Sequence, residues 1–352
     1  PGFTGDPADI PDRTFSNLGF SSGVTGSTLD GTRVLSGFGT ALLSNINGGA
    51  GIGSSDSLII TDSNESTVII TGLESVETMA DLIGRRFALE TKAGYDMPAE
   101  GTLAAILNHR SQRRYLEDPV PDSLLAVLLA CAQSAPTKSN LQQYSIIVVD
   151  SSKMRRLMAP LCPDTDWIES CPVFLVFCAN VRRNRRIAEF RGHEYANDNM
   201  DTFMNAVIDA ALAMQCFITA AESEGLGCAP ISEVRNRIAE VSEVLELPDG
   251  VFPIAGLPAG WPAAEGYINQ RLPGSAVVHL NTYDEFELEA VIDDYDKRRH
   301  AIFPVPPAKQ RHSDKYGILE FCGWSENVAR QLSLPERAGF RDFLKSHGFD
   351  LA

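Results

Sequence analysis

Residues 171–178 read CPVFLVFC, an apolar stretch without a single charge. A strand that has water on one face alternates polar and apolar residues, whereas a strand covered on both faces is apolar throughout. The stretch therefore predicts that residues 172–178 form the buried central strand of a sheet.

The segments around this strand predict a domain of mixed helices and strands. A long helix is predicted at residues 201–224, apolar on most of its circumference and stopped by Gly225 and Gly227. Its small residues at 206–213 favour a close contact with another helix, as in a dimer core, over a binding groove. Further strands are predicted at residues 145–149, 252–259 and 275–280, and further helices at residues 101–110, 123–132 and 334–347. From about residue 98 the pattern indicates a compact α+β domain.

Residues 1–95 differ in composition from the rest of the chain. Gly, Ser, Thr, Asn and Asp dominate this segment, which leaves little apolar surface to bury. Residues 57–61 and 67–71 are rich in β-branched side chains and flank the turn-forming residues 62–66, so they predict a β-hairpin. A helix is predicted at residues 74–89. We therefore expect two parts: an attachment or partner-binding appendage at 1–95 and a folded domain at 96–352.

The charge balance limits the partners of the chain. Its net charge of −16 argues against broad binding to nucleic acids or anionic membranes. The basic run at residues 182–186 is either a nucleic-acid patch or a solvated loop, and the loop is favoured. No apolar run is predicted to span a bilayer, and no secretory signal is recognised. The sequence predicts a cytoplasmic protein.

The seven cysteines include no Cys-x-x-Cys pair, and several lie in apolar runs. This pattern indicates buried free thiols in a reducing compartment. The six histidines include no His-x-x-x-His pair, so no metal site is predicted.

The most informative polar stretch is HRSQRR at residues 109–114. Arginine side chains form paired, charge-assisted hydrogen bonds to phosphate, and serine adds a short neutral donor. A solvated surface turn is the simpler interpretation of this stretch taken alone. The segments that follow it favour a phosphate site.

These segments occur in a characteristic order: HRSQR, APTKSNLQ, VIDAA, GLG, PIAGL, GWPA and RLP, which begin at residues 109, 135, 207, 225, 253, 260 and 271. The ordered set resembles the flavin-dependent nitroreductase family, in particular its oxygen-insensitive NADPH nitroreductase and flavin reductase branch. The resemblance covers roughly residues 98–352.

The resemblance implies a nitroreductase-like fold, in which helices flank a central, mostly antiparallel sheet, and an intertwined homodimer with two FMN molecules at its interface. NADPH or NADH gives hydride to the flavin and leaves, and a nitroaromatic, quinone or flavin then takes two electrons in a ping-pong cycle. The flavin carries the chemistry, so no protein side chain is predicted to be catalytic.

The resemblance also assigns cofactor contacts. Arg110, Ser111 and Arg113 match contacts to the phosphate and ribityl chain, and Arg271 matches a second phosphate-binding arginine. His109 matches a hydrogen-bond partner beside the cofactor. The remaining cofactor-binding residues that the resemblance implies are Thr137, Ser139, Thr165, Pro230, Ile231, Ser232 and Asn269.

Several of these assignments carry alternatives or departures. Thr137 and Ser139 are either small hydroxyls beside the flavin or capping residues. Thr165 stands where relatives often have a glutamine, and Asn269 stands where the branch commonly has a lysine. The change at Asn269 removes one positive charge near the phosphate, and the loop that grips the NADPH 2′-phosphate has no clear match.

Two other functions remain open from the sequence. The chain is alternatively a flavin-binding structural or assembly component that residues 1–95 tether to a large partner. It is alternatively an oxidase or dehydrogenase of one specific metabolite.

Overall fold

The computed structural model describes the backbone of four strands between residues 25 and 71, and residues 77–163 and 165–351. The chain divides into two compact units, Pro1–Gly84 with Leu89–Glu100, and Arg85–Ala88 with Gly101–Ala352.

The first unit contains a four-stranded sheet. Its strands are β1 (Thr25–Leu29), β2 (Thr32–Ser36), β3 (Ser57–Thr61) and β4 (Thr67–Thr71), in the order β1-β2-β4-β3. Strands β3 and β4 pair antiparallel, with Leu58 opposite Ile70, which confirms the predicted hairpin. The predicted turn at residues 62–66 lies outside the described residues.

The second unit is built on an antiparallel sheet. Its strands are β5 (Tyr144–Val148), β6 (Val173–Asn180), β7 (Gly227–Cys228) and β8 (Val251–Gly260), in the order β5-β6-β8-β7. All three strand pairs are antiparallel. The α+β class and the antiparallel central sheet are thus confirmed.

The helices are α1 (Met79–Phe87), α2 (Gly101–Leu107), α3 (Asp122–Gln133), α4 (Ser152–Met158), α5 (Arg182–Arg191), α6 (Met200–Ser223), α7 (Ile238–Val244), α8 (Leu288–Ile302), α9 (Ser313–Tyr316), α10 (Trp324–Leu332) and α11 (Phe340–Ser346). The helix predicted at residues 74–89 spans Met79–Phe87, and the first three residues of the predicted range lie outside the described residues. The predicted C-terminal helix begins six residues later than expected, at Phe340.

Strand β6 is buried along its whole length, as its apolar sequence predicts. Successive side chains of a strand point to opposite faces. Leu175 and Phe177 accordingly join a core with α3 and α6, while Phe174 and Val176 join a second core with α4 and α7. The sheet is therefore the middle layer of three.

Helix α6 owes its apolar character to this packing. By length and composition it is apolar enough to cross a membrane. Ala206, Ala210 and Ala213 are fully buried in the core that α6 shares with β6 and α3. Small side chains allow this close approach, so the close contact predicted for residues 206–213 forms inside the subunit.

Two predictions about local structure are wrong. Residues 275–280 form no strand: Gly274–Ala276 is a 3-10 turn, and Val278 and Leu280 are 76% and 86% exposed. No described residue covers these side chains, and the segment has no neighbouring strand with which its backbone pairs.

The basic run at residues 182–186 is the start of helix α5 rather than a solvated loop. Arg183 donates to the carbonyl of Gln142 at 2.7 Å, and Arg185 pairs with Asp198 at 2.7 Å. These two contacts hold helix α5 against the segments that contain Gln142 and Asp198.

Candidate functional site

The basic segment at residues 109–113 follows α2 and lies against strand β7. Ser111 pairs with Cys228 in an isolated parallel bridge, and the amide of Gln112 donates to the Cys228 carbonyl at 2.9 Å. A Cβ atom on Gly227 would lie 2.5 Å from the Cβ of Gln112. The segment reaches the sheet only because residue 227 is glycine.

After β7 the chain continues into residues 230–232. The amide of Ile231 donates to the Gly256 carbonyl at 2.9 Å, and the amide of Gly256 donates back at 3.0 Å. The hydroxyl of Ser232 accepts from Nη2 of Arg337 at 3.0 Å. Two of the predicted cofactor segments are therefore placed by one short strand: residues 109–113 lie beside β7, and residues 230–232 come directly after it.

Arg110 has a guanidinium group that is only partly satisfied. Its Nη2 pairs with Oε1 of Glu265 at 2.8 Å, but that carboxylate is 78% exposed, and exposed ion pairs are weak. The Nε atom of Arg110 is buried and has no hydrogen-bond partner among the described residues. A buried donor without a partner is unusual and fits an anionic ligand that completes the site.

Arg271 comes close to the same place from far along the sequence. Its Nη1 donates to the Asn269 carbonyl at 3.2 Å, and its amide donates to the Arg86 carbonyl at 2.9 Å. Burial, together with the positive charges of Arg271 and Arg110, lowers the pKa of Arg86. The charges of Arg110 and Arg271 thus both lie within electrostatic reach of Arg86, and we call these three residues the arginine group.

His109 is held by a carboxylate that the sequence did not point to. Its Nδ1 lies 2.7 Å from Oε1 of Glu222, near the C-terminal end of α6. Both side chains are largely shielded from solvent. The pair fixes the imidazole beside the arginine group.

The loop that carries Thr137 and Ser139 is strained and firmly anchored. Ser139, Asn140 and Gln142 have φ values of 49°, 58° and 52°, a left-handed conformation that is costly for residues other than glycine. A surrounding structure must hold such a loop in place.

The anchor is the fully buried carboxylate of Asp209 on α6. Its Oδ1 accepts from the amide of Lys138 and its Oδ2 from the amide of Gln143, both at 2.9 Å. Thr137 begins a 3-10 turn here, but its hydroxyl makes no capping hydrogen bond. Among the described residues, no hydrogen bond joins Thr137 or Ser139 to the arginine group.

The remaining predicted site residues, Thr165, Arg113 and Asn269, differ in their exposure to solvent. Thr165 is buried, and its hydroxyl donates to the carbonyl of Cys162. Arg113 and Asn269 are exposed, the latter with its carbonyl turned to Arg86 and Arg271.

The thiols of this chain are free, and five of the seven cysteines are buried, in agreement with the sequence. Burial raises the pKa of Cys162 and of Cys178 to about 12, so both stay protonated near neutral pH. In the described part of the chain, no group of three or more His, Cys, Asp or Glu side chains is arranged to hold a metal ion.

Comparison with known families gives the fold a context. A model of the Nitroreductase family matches residues 106–165 and 162–261, and a model of that family's C-terminal domain matches residues 269–352. The chain belongs to the nitroreductase family. The resemblance drawn from the sequence motifs is thereby confirmed.

Individual relatives agree with this membership. An FMN reductase (NADPH) from Bacillus subtilis is 34% identical over 71% of this chain and 98% of its own. An oxygen-insensitive NADPH nitroreductase from Salmonella typhimurium is 31% identical over 70% of this chain and 98% of its own. The structure of the NADPH:FMN oxidoreductase from Vibrio harveyi complexed with NAD+ covers 70% of this chain and 97% of its own, with 29% identity and a TM-score of 0.62.

Sequence reasoning missed three residues of this region: Arg86, Asp209 and Glu222. Asp209 had a signal, since a lone acid within the apolar run at 206–213 implies buried partners. Glu222 and Arg86 had none, because their partners are an imidazole and backbone carbonyls far away in sequence.

We expect Asp209→Ala to destabilise the chain by about 3 kcal/mol, because it leaves two amides of the strained loop without their charged acceptor. Asp201→Ala is the control: Asp201 is an exposed acid in the first turn of the same helix, and its loss should cost less than about 1 kcal/mol. Urea unfolding followed by circular dichroism measures both. Equal midpoints for the two variants would show that Asp209 is no anchor.

Proposed function

We propose that this chain is an FMN-dependent NAD(P)H oxidoreductase that delivers two electrons to nitroaromatics, quinones or flavins. The observation that carries the proposal is that Arg86 binds the backbones of the segments that carry Arg110 and Arg271, and that the Nε atom of Arg110 is buried without a partner, within a nitroreductase fold. The names of the relatives from B. subtilis and S. typhimurium, an FMN reductase and a nitroreductase, support it. The alternatives of a structural flavoprotein and of a metabolite-specific oxidase have no comparable support.

Each part of the site has a role in this function. Arg110, Ser111, Arg113 and Arg271 hold the phosphate and ribityl chain, since paired guanidinium groups are strong phosphate ligands. Asn269 contributes to the same region through its backbone. When bound, FMN supplies the two-electron chemistry between the nicotinamide and the acceptor.

The flavin ring has its own set of proposed contacts. Residues Pro230, Ile231 and Ser232 pass one ring edge, where the Ser232 amide stabilises negative charge, since Pro230 has no N–H and the Ile231 amide already donates to Gly256. Thr137 and Ser139 offer hydroxyls to the ring, and the buried Asp209 keeps both in position. Thr165 offers the ring only an acceptor oxygen, since its hydroxyl donates to the Cys162 carbonyl. His109, fixed by Glu222, acts as a hydrogen-bond partner rather than as a proton donor.

We further propose that the subunit works as a homodimer in the cytoplasm, with small molecules as its electron acceptors. Met200, Met204, Ile208 and Leu212 lie four residues apart on α6, and each is at least 38% exposed. Residues at this spacing form one stripe along a helix, and an exposed apolar stripe is typical of an association surface. We also propose that residues 1–95 include an attachment segment for a larger partner.

The purified chain should be yellow, or become yellow when FMN is added, and NADPH or NADH should bleach it under anaerobic conditions. An absorbance spectrum and a titration with each nicotinamide measure this and rank the two reductants. Added nitroaromatic, quinone or flavin should then restore the colour. A colourless chain that takes up no FMN would contradict the proposed function.

Arg110→Met and Arg271→Met should each weaken FMN binding by about 10- to 100-fold, because each removes a charged donor worth about 1.5–3 kcal/mol. The control is Arg114→Met, which removes an exposed arginine of the same basic stretch and should change the affinity less than about threefold. Flavin fluorescence titration gives the dissociation constants. Equal effects at all three positions would indicate general charge attraction rather than a built site.

Ile208→Glu should convert the dimer to a monomer, because it places a charge in the middle of the apolar stripe. Leu332→Glu is the matched control, since Leu332 is 77% exposed and lies on a different helix, α10. Light scattering coupled to size-exclusion chromatography measures the mass. A wild-type monomer, or a variant that stays dimeric, would refute the assignment of this surface.

A further inference from the structure

Arg86 lies outside the residues that the two family models match. The family models begin at residue 106, and the B. subtilis relative uses 98% of its own length against 71% of this chain. Arg86 nevertheless belongs to the same compact unit as Gly101–Ala352 and is only 5% exposed. A buried arginine that precedes the residues matched by the family models needs a physical reason, because charged side chains are rarely buried without partners.

The partners of Arg86 are the backbones of both phosphate segments. Its Nε and Nη2 donate to the Leu107 carbonyl at 3.2 and 2.8 Å, and Nη2 also donates to the His109 carbonyl. Its Nη1 donates to the Asn269 carbonyl at 2.9 Å, and its own carbonyl accepts from the Arg271 amide at 2.9 Å. One residue thus joins the segment that leads into Arg110 to the segment that ends in Arg271.

These partners leave the charge of Arg86 only partly compensated, by the carboxylate of Glu222. Carbonyl oxygens satisfy the hydrogen bonds of a guanidinium group but carry no net charge. Arg110 and Arg271 add two more positive charges, and the nearby Glu222 is engaged with His109. A buried cation surrounded by like charges is unfavourable unless an anion joins it. Four of the five N–H donors of Arg86 are used by the described residues, which leaves little of the guanidinium group for direct contact with a ligand and suits a supporting role.

We propose that Arg86 is a positioning residue for the phosphate of FMN: it fixes the two arginine-bearing segments relative to each other and adds positive charge beneath them. The proposal rests on the proposed function. It also accounts for the charge that Asn269 lacks: the resemblance predicts a lysine at this position, and Arg86 brings a positive charge to the Asn269 backbone. The chain upstream of the family match thereby contributes to the site.

The test compares FMN with riboflavin, which has the same ring and no phosphate. We expect Arg86→Met to raise the dissociation constant of FMN by about tenfold or more, while that of riboflavin changes less than about threefold. A residue that merely supports the fold would weaken both flavins equally. Arg85→Met is the matched control: it removes an exposed arginine from the neighbouring position of α1 and should leave both constants within about threefold.

Circular dichroism of the flavin-free full-length chain shows whether each variant folds. If Arg86→Met does not fold, Arg86→Lys decides, since lysine keeps the charge but cannot reach three carbonyls at once. We expect it to weaken FMN more than riboflavin. Equal loss of both flavins, or unchanged FMN binding, would overturn the role of Arg86 while leaving FMN binding by the wild type intact. A wild type that binds neither flavin would overturn the proposed function, and this role with it.

Discussion

Strand β6 has no face toward water, and this requirement organises the second unit. Each of its eight residues is buried, so a layer of helices must lie on either side of the sheet. Strand β8 beside it is buried throughout as well, and the two strands share a long antiparallel register. The hydrophobic gain of these layers gives the rigid frame from which the functional segments extend.

The site lies where this frame ends. Strand β7 has only two residues, yet it holds the basic segment on one side and leads into residues 230–232. Glycine at position 227 allows that contact, and the buried Asp209 holds the strained loop nearby. Ten of the twelve side chains assigned to the cofactor are exposed or half-buried, while Asp209 and Arg86, which hold the segments that carry them, are buried. Such an arrangement places binding groups precisely without burying them permanently.

The sequence predicted those features that leave a pattern in the chain. The unbroken apolar run predicted β6, the apolar pattern of residues 201–224 predicted the long helix, and the ordered motifs predicted the family. The strand prediction for residues 275–280 was wrong because β-branched residues favour a strand in the sequence pattern whether or not a partner strand is present. Short helices such as α4 and α7 have too few turns for a clear period. The buried contacts of Arg86 left no pattern, since backbone carbonyls are the same at every residue.

Helix α6 has two faces with different tasks. Asp209 points inward to hold the strained loop, while the adjacent Ile208 lies on the exposed apolar stripe. If two subunits join along that stripe, any shift of α6 on association is passed to the loop through a single carboxylate. Subunit assembly and flavin affinity would then be thermodynamically linked, and each would change the other by the same free energy. Dilution of the protein would in that case change its affinity for the cofactor while the fold stays intact.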